Sequence, residues 1–414
     1  MSPTTTEAPA ADAASQKAVR RDIAFVNWAH AMDHFVILIF PTVVIGLEVV
    51  YGRPYAELMA LGTASYFAFG IFALPAGWLG DHWSRRHMIA IFFFGCGLSL
   101  AAAAAAPNLV VFAVALFALG VFAAIYHPVG TAMLIEASNA RGRTLAFNGV
   151  CGNVGAALAA AVSAALASWF GWRGAFVVPS VICIASGIAY LALTTDDRNR
   201  TGKRKSVADV HVPWRLAAIM FAVYVVISIC SGLVFNTISI ALPKIVDERF
   251  GAGASLMAVG SLATAVFLCG ALGQLAMGRL VERFPPHLLF AGVVVAQLIG
   301  IIWASYASGP ALVVALAVSM TAIYGQVTVG DIVIARYTAD AWRGRVYAVR
   351  FFLTFVSAGV SVSIIAFLYA RGGFDLVLGT IAAVAAALVV SVLTFVVLVS
   401  GIERERRNAV QPAE

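Results

Sequence analysis

Uninterrupted apolar runs long enough to cross a membrane recur along this chain of 414 residues, and no other feature limits its fold as much. A helix needs roughly 20 apolar residues to cross ~30 Å of hydrocarbon, whereas a membrane β-strand needs about 10 in alternation. Alternation is absent, so the runs specify an all-α membrane protein. A soluble enzyme is excluded, because 62% of the residues are hydrophobic and 11% charged, against about 45–50% and about 25% in soluble domains. The runs place spans at 23–50, 57–78, 87–106, 109–136, 144–168 and 172–194, then at 214–242, 253–277, 287–307, 309–338, 346–370 and 374–400. The polar stretch 195–213 separates them. The expected organisation is a disordered cytoplasmic tail (1–22), a six-helix bundle (23–194), a cytoplasmic linker (195–213), a second six-helix bundle (214–400) and a tail (401–414).

The basic excess is a topological label. With both termini cytoplasmic, 22 of the 27 Lys and Arg residues fall on the inner side, which is the bias that orients helical membrane proteins. The chain therefore reads as a multi-pass protein of the cell inner (plasma) membrane whose charge is not a nucleic-acid signal. The first run is longer than a signal-peptide core and reads as a retained span. The five cysteines sit inside apolar runs with no paired spacing, as packing residues do. No phosphate-binding glycine loop is present, so the chain carries no sign of ATP-driven pumping. No cofactor, metal or catalytic group is expected, and the chain reads as a monomer.

The two sets of six spans repeat each other at a constant offset. Pro41 matches Pro243, Asp81 matches Glu282, Gly77 matches Gly278, and Arg141-Gly142-Arg143 matches Arg343-Gly344-Arg345, at offsets of 201 or 202. Six spans return the chain to the same side, so the duplicated units run parallel. Parallel halves around a site near mid-membrane are one of the transporter architectures.

The loop after the second span reads Gly77, Gly80, Asp81, Arg85, Arg86, with His82 and Ser84 between them. It resembles the cytoplasmic signature G-x-x-x-D-R-x-G-R-R of the major facilitator superfamily. The resemblance implies two parallel six-helix bundles, twelve transmembrane helices and alternating access. In that reading Gly77, Gly80, Asp81, Arg85, Arg86, Arg141, Glu282 and Arg343 form a cytoplasmic gate. A narrower resemblance joins His30, His34 and Pro41 with Tyr126-His127-Pro128 and Gly152-Asn153-Val154-Gly155. That set is similar to the fosmidomycin-resistance group of bacterial drug exporters, and implies proton-coupled efflux of a drug or metabolite.

Ionisable residues in hydrocarbon are costly and mark pathways. His30 and His34 are four apart and share a helix face, Asp33 lies on the neighbouring stripe, and His127 is in the fourth span. A carboxylate beside a histidine in a low-dielectric cavity can exchange a proton in the physiological range. In the second half Asn236, Tyr324, Gln326, Asp331 and Arg350 are the polar candidates, with Arg350 the counter-charge for an anionic substrate group. The expected partners are a small-molecule substrate, protons and the lipid bilayer. Two other functions fit the same residues: uptake or exchange of a small organic anion, and carriage of a divalent transition metal by the histidines. Glu48 and Glu136, near span ends, are expected to have no role.

Overall fold

The computed structural model describes residues 8–137, 141–195, 214–251, 253–338 and 340–410. The central linker and the extreme termini fall outside those residues. Among the described residues, ten helices are long and apolar enough to cross a membrane, from Gln16–Tyr51 to Arg345–Gly401. Two of them, Thr144–Leu193 and Arg345–Gly401, are about twice the length a crossing needs. Each is broken once by glycine, at Gly171 (φ 74°) and at Gly372–Gly373 (Gly373 φ 58°). At Gly171 and Gly373 a side chain would meet the left-handed backbone strain that glycine avoids. Counting both sides of each break gives the twelve crossings of the major facilitator fold.

The first helix begins at Ala8, inside the segment expected to be a disordered tail. Its early residues are mostly alanine, the strongest helix former, so the helix extends ahead of the apolar run. The first span is interrupted at Leu38, and the second between Ala60 and Thr63 and again at Phe72. Lipid-facing positions such as Val110, Val390 and Val397 are exposed and apolar. That surface needs no covering in hydrocarbon, where helices associate through small residues and buried polar bonds.

Both devices join the halves. Gly70 of the second span lies against the eleventh, where an added Cβ would stand 2.7 Å from the Val356 nitrogen. Gly260 of the eighth span meets the Ala160 carbonyl of the fifth in the same way, at 2.6 Å. Thr264 sits in that second seam, donating to the Ala157 carbonyl (2.6 Å) and accepting from the Ala161 nitrogen (3.1 Å). Further along it, Asn153 donates to Gln274.

At one end of the bundles Lys244 of the seventh span reaches Glu48 of the first at 2.5 Å, with Asp247 at 3.0 Å and Glu248 at 3.6 Å. Tyr55 and Tyr369 pack beneath, rings 4.9 Å apart. The expectation that Glu48 has no role is therefore corrected: it is half of an ion pair between the two bundles.

Candidate functional site

The first span carries its ionisable residues at its middle. Asp33 is completely buried, and its Oδ2 stands 3.3 Å from His127 Nε2 on the fourth span. The angle there does not make a hydrogen bond, and neither Asp33 oxygen has any other partner. A carboxylate sealed from water without hydrogen bonds is costly unless a cation accompanies it. The neighbours supply three imidazoles. His30, His34 and His127 each present a ring nitrogen, all within 4.8 Å of one another, and could together hold a metal ion.

Each ring is held in place. His30 Nδ1 lies 2.7 Å from the Asn148 carbonyl; a carbonyl only accepts, so Nδ1 donates and Nε2 is left with its lone pair. His34 Nε2 faces His30 Nε2 at 3.2 Å, so His34 is the donor of that pair. Asn148 is fixed in turn by Asn27 (2.9 Å) and by the Tyr126 hydroxyl (2.8 Å), and Tyr126 stacks on His30 at 4.7 Å. Phe355, from the eleventh span of the other half, covers His127 with ring centroids 4.7 Å apart.

The Gly-Asn-x-Gly step of the fifth span has a packing cause here. A Cβ on Gly152 would stand 2.6 Å from His30 Nε2, and one on Gly155 would overlap the Ala31 carbonyl. The fifth span can approach the first only with glycine at both places, and its carbonyl at Asn148 then meets His30.

The polar residues of the second half are not assembled with that cluster. Asn236 donates to Gly232 O, Thr354 O and Ser357 Oγ, Gln326 donates to Ser231, and Tyr324 is buried against Phe235. These bonds stay within the second bundle. Arg350 is paired with Asp331 and leans on the Val327 carbonyl at 3.4 Å, while the Tyr347 hydroxyl donates to the Asp331 carbonyl. The counter-charge expected for a substrate anion already has a carboxylate.

At the end opposite Glu48, Arg85 bridges Asp81 (2.6 Å) and Glu136 of the fourth span, so Glu136, also expected to be idle, pairs as well. Arg86 donates to the carbonyls of Leu191 (2.6 Å) and Thr194 (2.8 Å), closing the end of the sixth span. Gly77 and Gly80 let the second span approach Pro128 and Val129. Ser84, where the superfamily pattern has glycine, caps the third span by accepting from the His87 nitrogen. A cavity of about 410 Å³ lies among these residues, lined by Asp22, Arg85, Arg86, Glu136 and Tyr190. Glu282 is exposed, and the side chains of Arg141 and Arg343 lie outside the described residues. The network that is described joins the second, third, fourth and sixth spans of one bundle.

Three features escaped the sequence reading: Asn148, Phe355 and the Lys244–Glu48 pair. For Asn148 a signal existed, since it lies one helical turn before Gly152, on the face that meets His30.

Comparison with known proteins agrees with the architecture. Over a third of their lengths, two curated transporters are similar. One is named a probable hexose phosphate transport protein of Chlamydia pneumoniae, 27% identical over 153 residues, which is 36% of this chain and 34% of that one. The other is named a probable L-galactonate transporter of Escherichia coli (strain K12), 28% identical over 144 residues, 34% of this chain and 32% of that one. Among solved structures a D-xylose-proton symporter superposes with a TM-score of 0.72, covering 90% of this chain and 97% of that one at 14% identity. A bacterial homolog of the human lysosomal transporter Spinster, inward-facing and occupied, gives 0.71 over 91% and 93% at 13% identity. The model of the Major Facilitator Superfamily matches residues 23–259 and again 224–413. With this match over nearly its whole length, the chain belongs to the Major Facilitator Superfamily.

Proposed function

We propose that the protein is a proton-coupled secondary transporter that exports a drug or metabolite from the cytoplasm of a bacterial cell, with Asp33 and the facing imidazoles as the coupling site. The observation that carries this reading is the fully buried Asp33 carboxylate, which has no hydrogen bond and stands 3.3 Å from His127. It needs a positive charge wherever the transporter is in its cycle, and a proton on Asp33 or on His127 supplies it. The cluster lies at mid-span under an aromatic ring from the other bundle, so opening the bundles uncovers it. Efflux as the direction follows from the likeness of His30, His34, His127 and the Gly152–Gly155 step to the fosmidomycin-resistance group.

A second reading is uptake or exchange of a small organic anion. The Arg350–Asp331 pair favours it, because an incoming anionic group can displace Asp331 from the guanidinium. The two curated relatives are named for a hexose phosphate and for L-galactonate.

Proteoliposomes with an internal pH-sensitive dye test both. Fosmidomycin, glucose 6-phosphate and L-galactonate serve as probes. An imposed proton gradient drives net movement of one of them in the native protein. Asp33→Asn abolishes that net movement while probe-for-probe exchange continues. Unchanged gradient dependence in Asp33→Asn removes the cluster as the coupling site. Loss of anion affinity in Arg350→Gln with drug export intact separates the second reading from the first.

A further inference from the structure

We propose that His30, His34 and His127 form a binding site for one divalent transition-metal ion of the zinc, cobalt and nickel class, with Asp33 behind it. The proposal takes the cluster to be the cation site of the preceding section, and adds a second kind of cation that it accepts.

The distances carry it. Two nitrogens bound to one tetrahedral zinc, each at about 2.05 Å, stand about 3.3 Å apart. His30 Nε2 and His34 Nε2 are 3.2 Å apart, one edge of such a tetrahedron once the His34 proton sits on Nδ1 and leaves Nε2 its lone pair. One ring nitrogen of each histidine lies within 4.8 Å of one on each of the other two, so a shift of at most roughly 1.5 Å brings His127 to the same edge length. Three histidines leave the fourth ligand of such an ion to water or a substrate group.

The surroundings are those of a ligand set. A metal-bound histidine almost always gives its other ring N–H to a carbonyl or a carboxylate, which fixes the tautomer and the ring plane. His30 gives Nδ1–H to the Asn148 carbonyl at 2.7 Å. The Asp33 carboxylate stands 3.3 Å from His127 Nε2, close enough to face an ion held by the three rings. Asp33 also supplies the negative charge that a buried divalent ion needs, and its oxygens have no hydrogen bond that competes for it. The space beside His30 Nε2 exists because residue 152 is glycine: a Cβ there would stand 2.6 Å from that nitrogen. Imidazole nitrogens select zinc, cobalt and nickel over magnesium and calcium, which take oxygen ligands.

The test is metal binding by the purified full-length protein in detergent. Cobalt(II) is the spectroscopic probe, and zinc is measured by competition with a chelating dye. One ion per chain is expected, with the visible d–d bands of tetrahedral cobalt. His34→Gln and His127→Gln each lose at least tenfold in affinity, and the variant without all three histidines does not bind. Asp33→Asn keeps the stoichiometry and loses about 10–100-fold, the usual effect of removing an outer partner. A His82→Gln/His87→Gln variant binds as the native protein does. Thermal unfolding without metal shows that each variant is folded, and zinc raises the unfolding temperature of the native protein but not of His34→Gln. Absence of one-to-one binding in the native protein, or binding retained without the three histidines, overturns the proposal. If metal does not bind but Asp33→Asn still abolishes gradient-driven transport, the metal site alone is refuted. If metal binds and Asp33→Asn transports normally, the coupling reading alone fails.

Discussion

Replacing Lys244 by methionine is expected to open the molecule at its Glu48 end. The ammonium group lies 2.5 Å from Glu48, 3.0 Å from Asp247 and 3.6 Å from Glu248. Glu48 belongs to the first bundle and the other three residues to the second, so the Lys244–Glu48 bond is one that exists only while the bundles meet on that side. Removing one partner of a buried ion pair costs about 3–5 kcal/mol, and an exposed pair is worth about 0–1 kcal/mol. The lysine side chain is 8% exposed and the carboxylates 25–31%, so a value of about 2 kcal/mol lies between these limits. The loss falls on the closed arrangement alone, because Glu48 then faces two carboxylates across the seam. At 1.4 kcal/mol per tenfold, about 2 kcal/mol is a shift of roughly 30-fold toward the state open at that end. Glu48→Gln is milder, less than about tenfold, because Lys244 keeps Asp247 and Glu248 within its own helix. Spin labels at positions 53 and 371, at the same end of the second and eleventh spans, report the separation by pulsed EPR with the native cysteines replaced. An unchanged distance distribution in Lys244→Met refutes the argument, as does an equal shift in Glu48→Gln.

Other outcomes follow from contacts already described. Arg86→Ala removes the donor that satisfies the last carbonyls of the sixth span. It is expected to lower stability by about 1–3 kcal/mol, read as a lower unfolding temperature, and Arg86→Lys recovers little because an ammonium cannot fork between two carbonyls. Gly155→Ala drives a methyl group into the Ala31 carbonyl, so the first and fifth spans must part; expression in folded form is expected to fall sharply in fluorescence-detected gel filtration. Gly149→Ala, where an added Cβ meets only the Gln274 side chain at 3.9 Å, leaves folding intact.

The crossings were legible because apolar length and glycine breaks are local properties. The turns expected between 168 and 172 and between 370 and 374 fall on Gly171 and on Gly372–Gly373. The ionisable cluster was legible in part for the same reason: His30, Asp33 and His34 are neighbours in sequence, and charge within an apolar run stands out. Its supports were not legible. The Asn148 carbonyl that orients His30 is 118 residues away, and Glu48 is 196 residues from Lys244. No periodicity encodes such pairs, since they arise from how separate helices stack. The second half shows the converse. Asn236 and Gln326 were recognisable as polar residues that must be satisfied, yet their partners are the backbone and hydroxyls of their own bundle, so a polar side chain in a span marks a need for hydrogen bonds before it marks a pathway. Arg350 is the same lesson for a charge, being matched by Asp331 nineteen residues earlier.

The seam at Thr264 has a consequence for how the halves can part. A dry seam of interlocked apolar side chains loses its contacts outright when it separates. Here one hydroxyl holds a carbonyl and an amide nitrogen of the facing helix, both of them groups that bond to water equally well. As the helices separate, water can enter beside Thr264 and take over those two bonds one at a time, and Asn153 and Gln274 offer the same exchange further along. Separation along this line proceeds by solvation rather than by rupture, so its barrier is set by how easily water reaches the crevice.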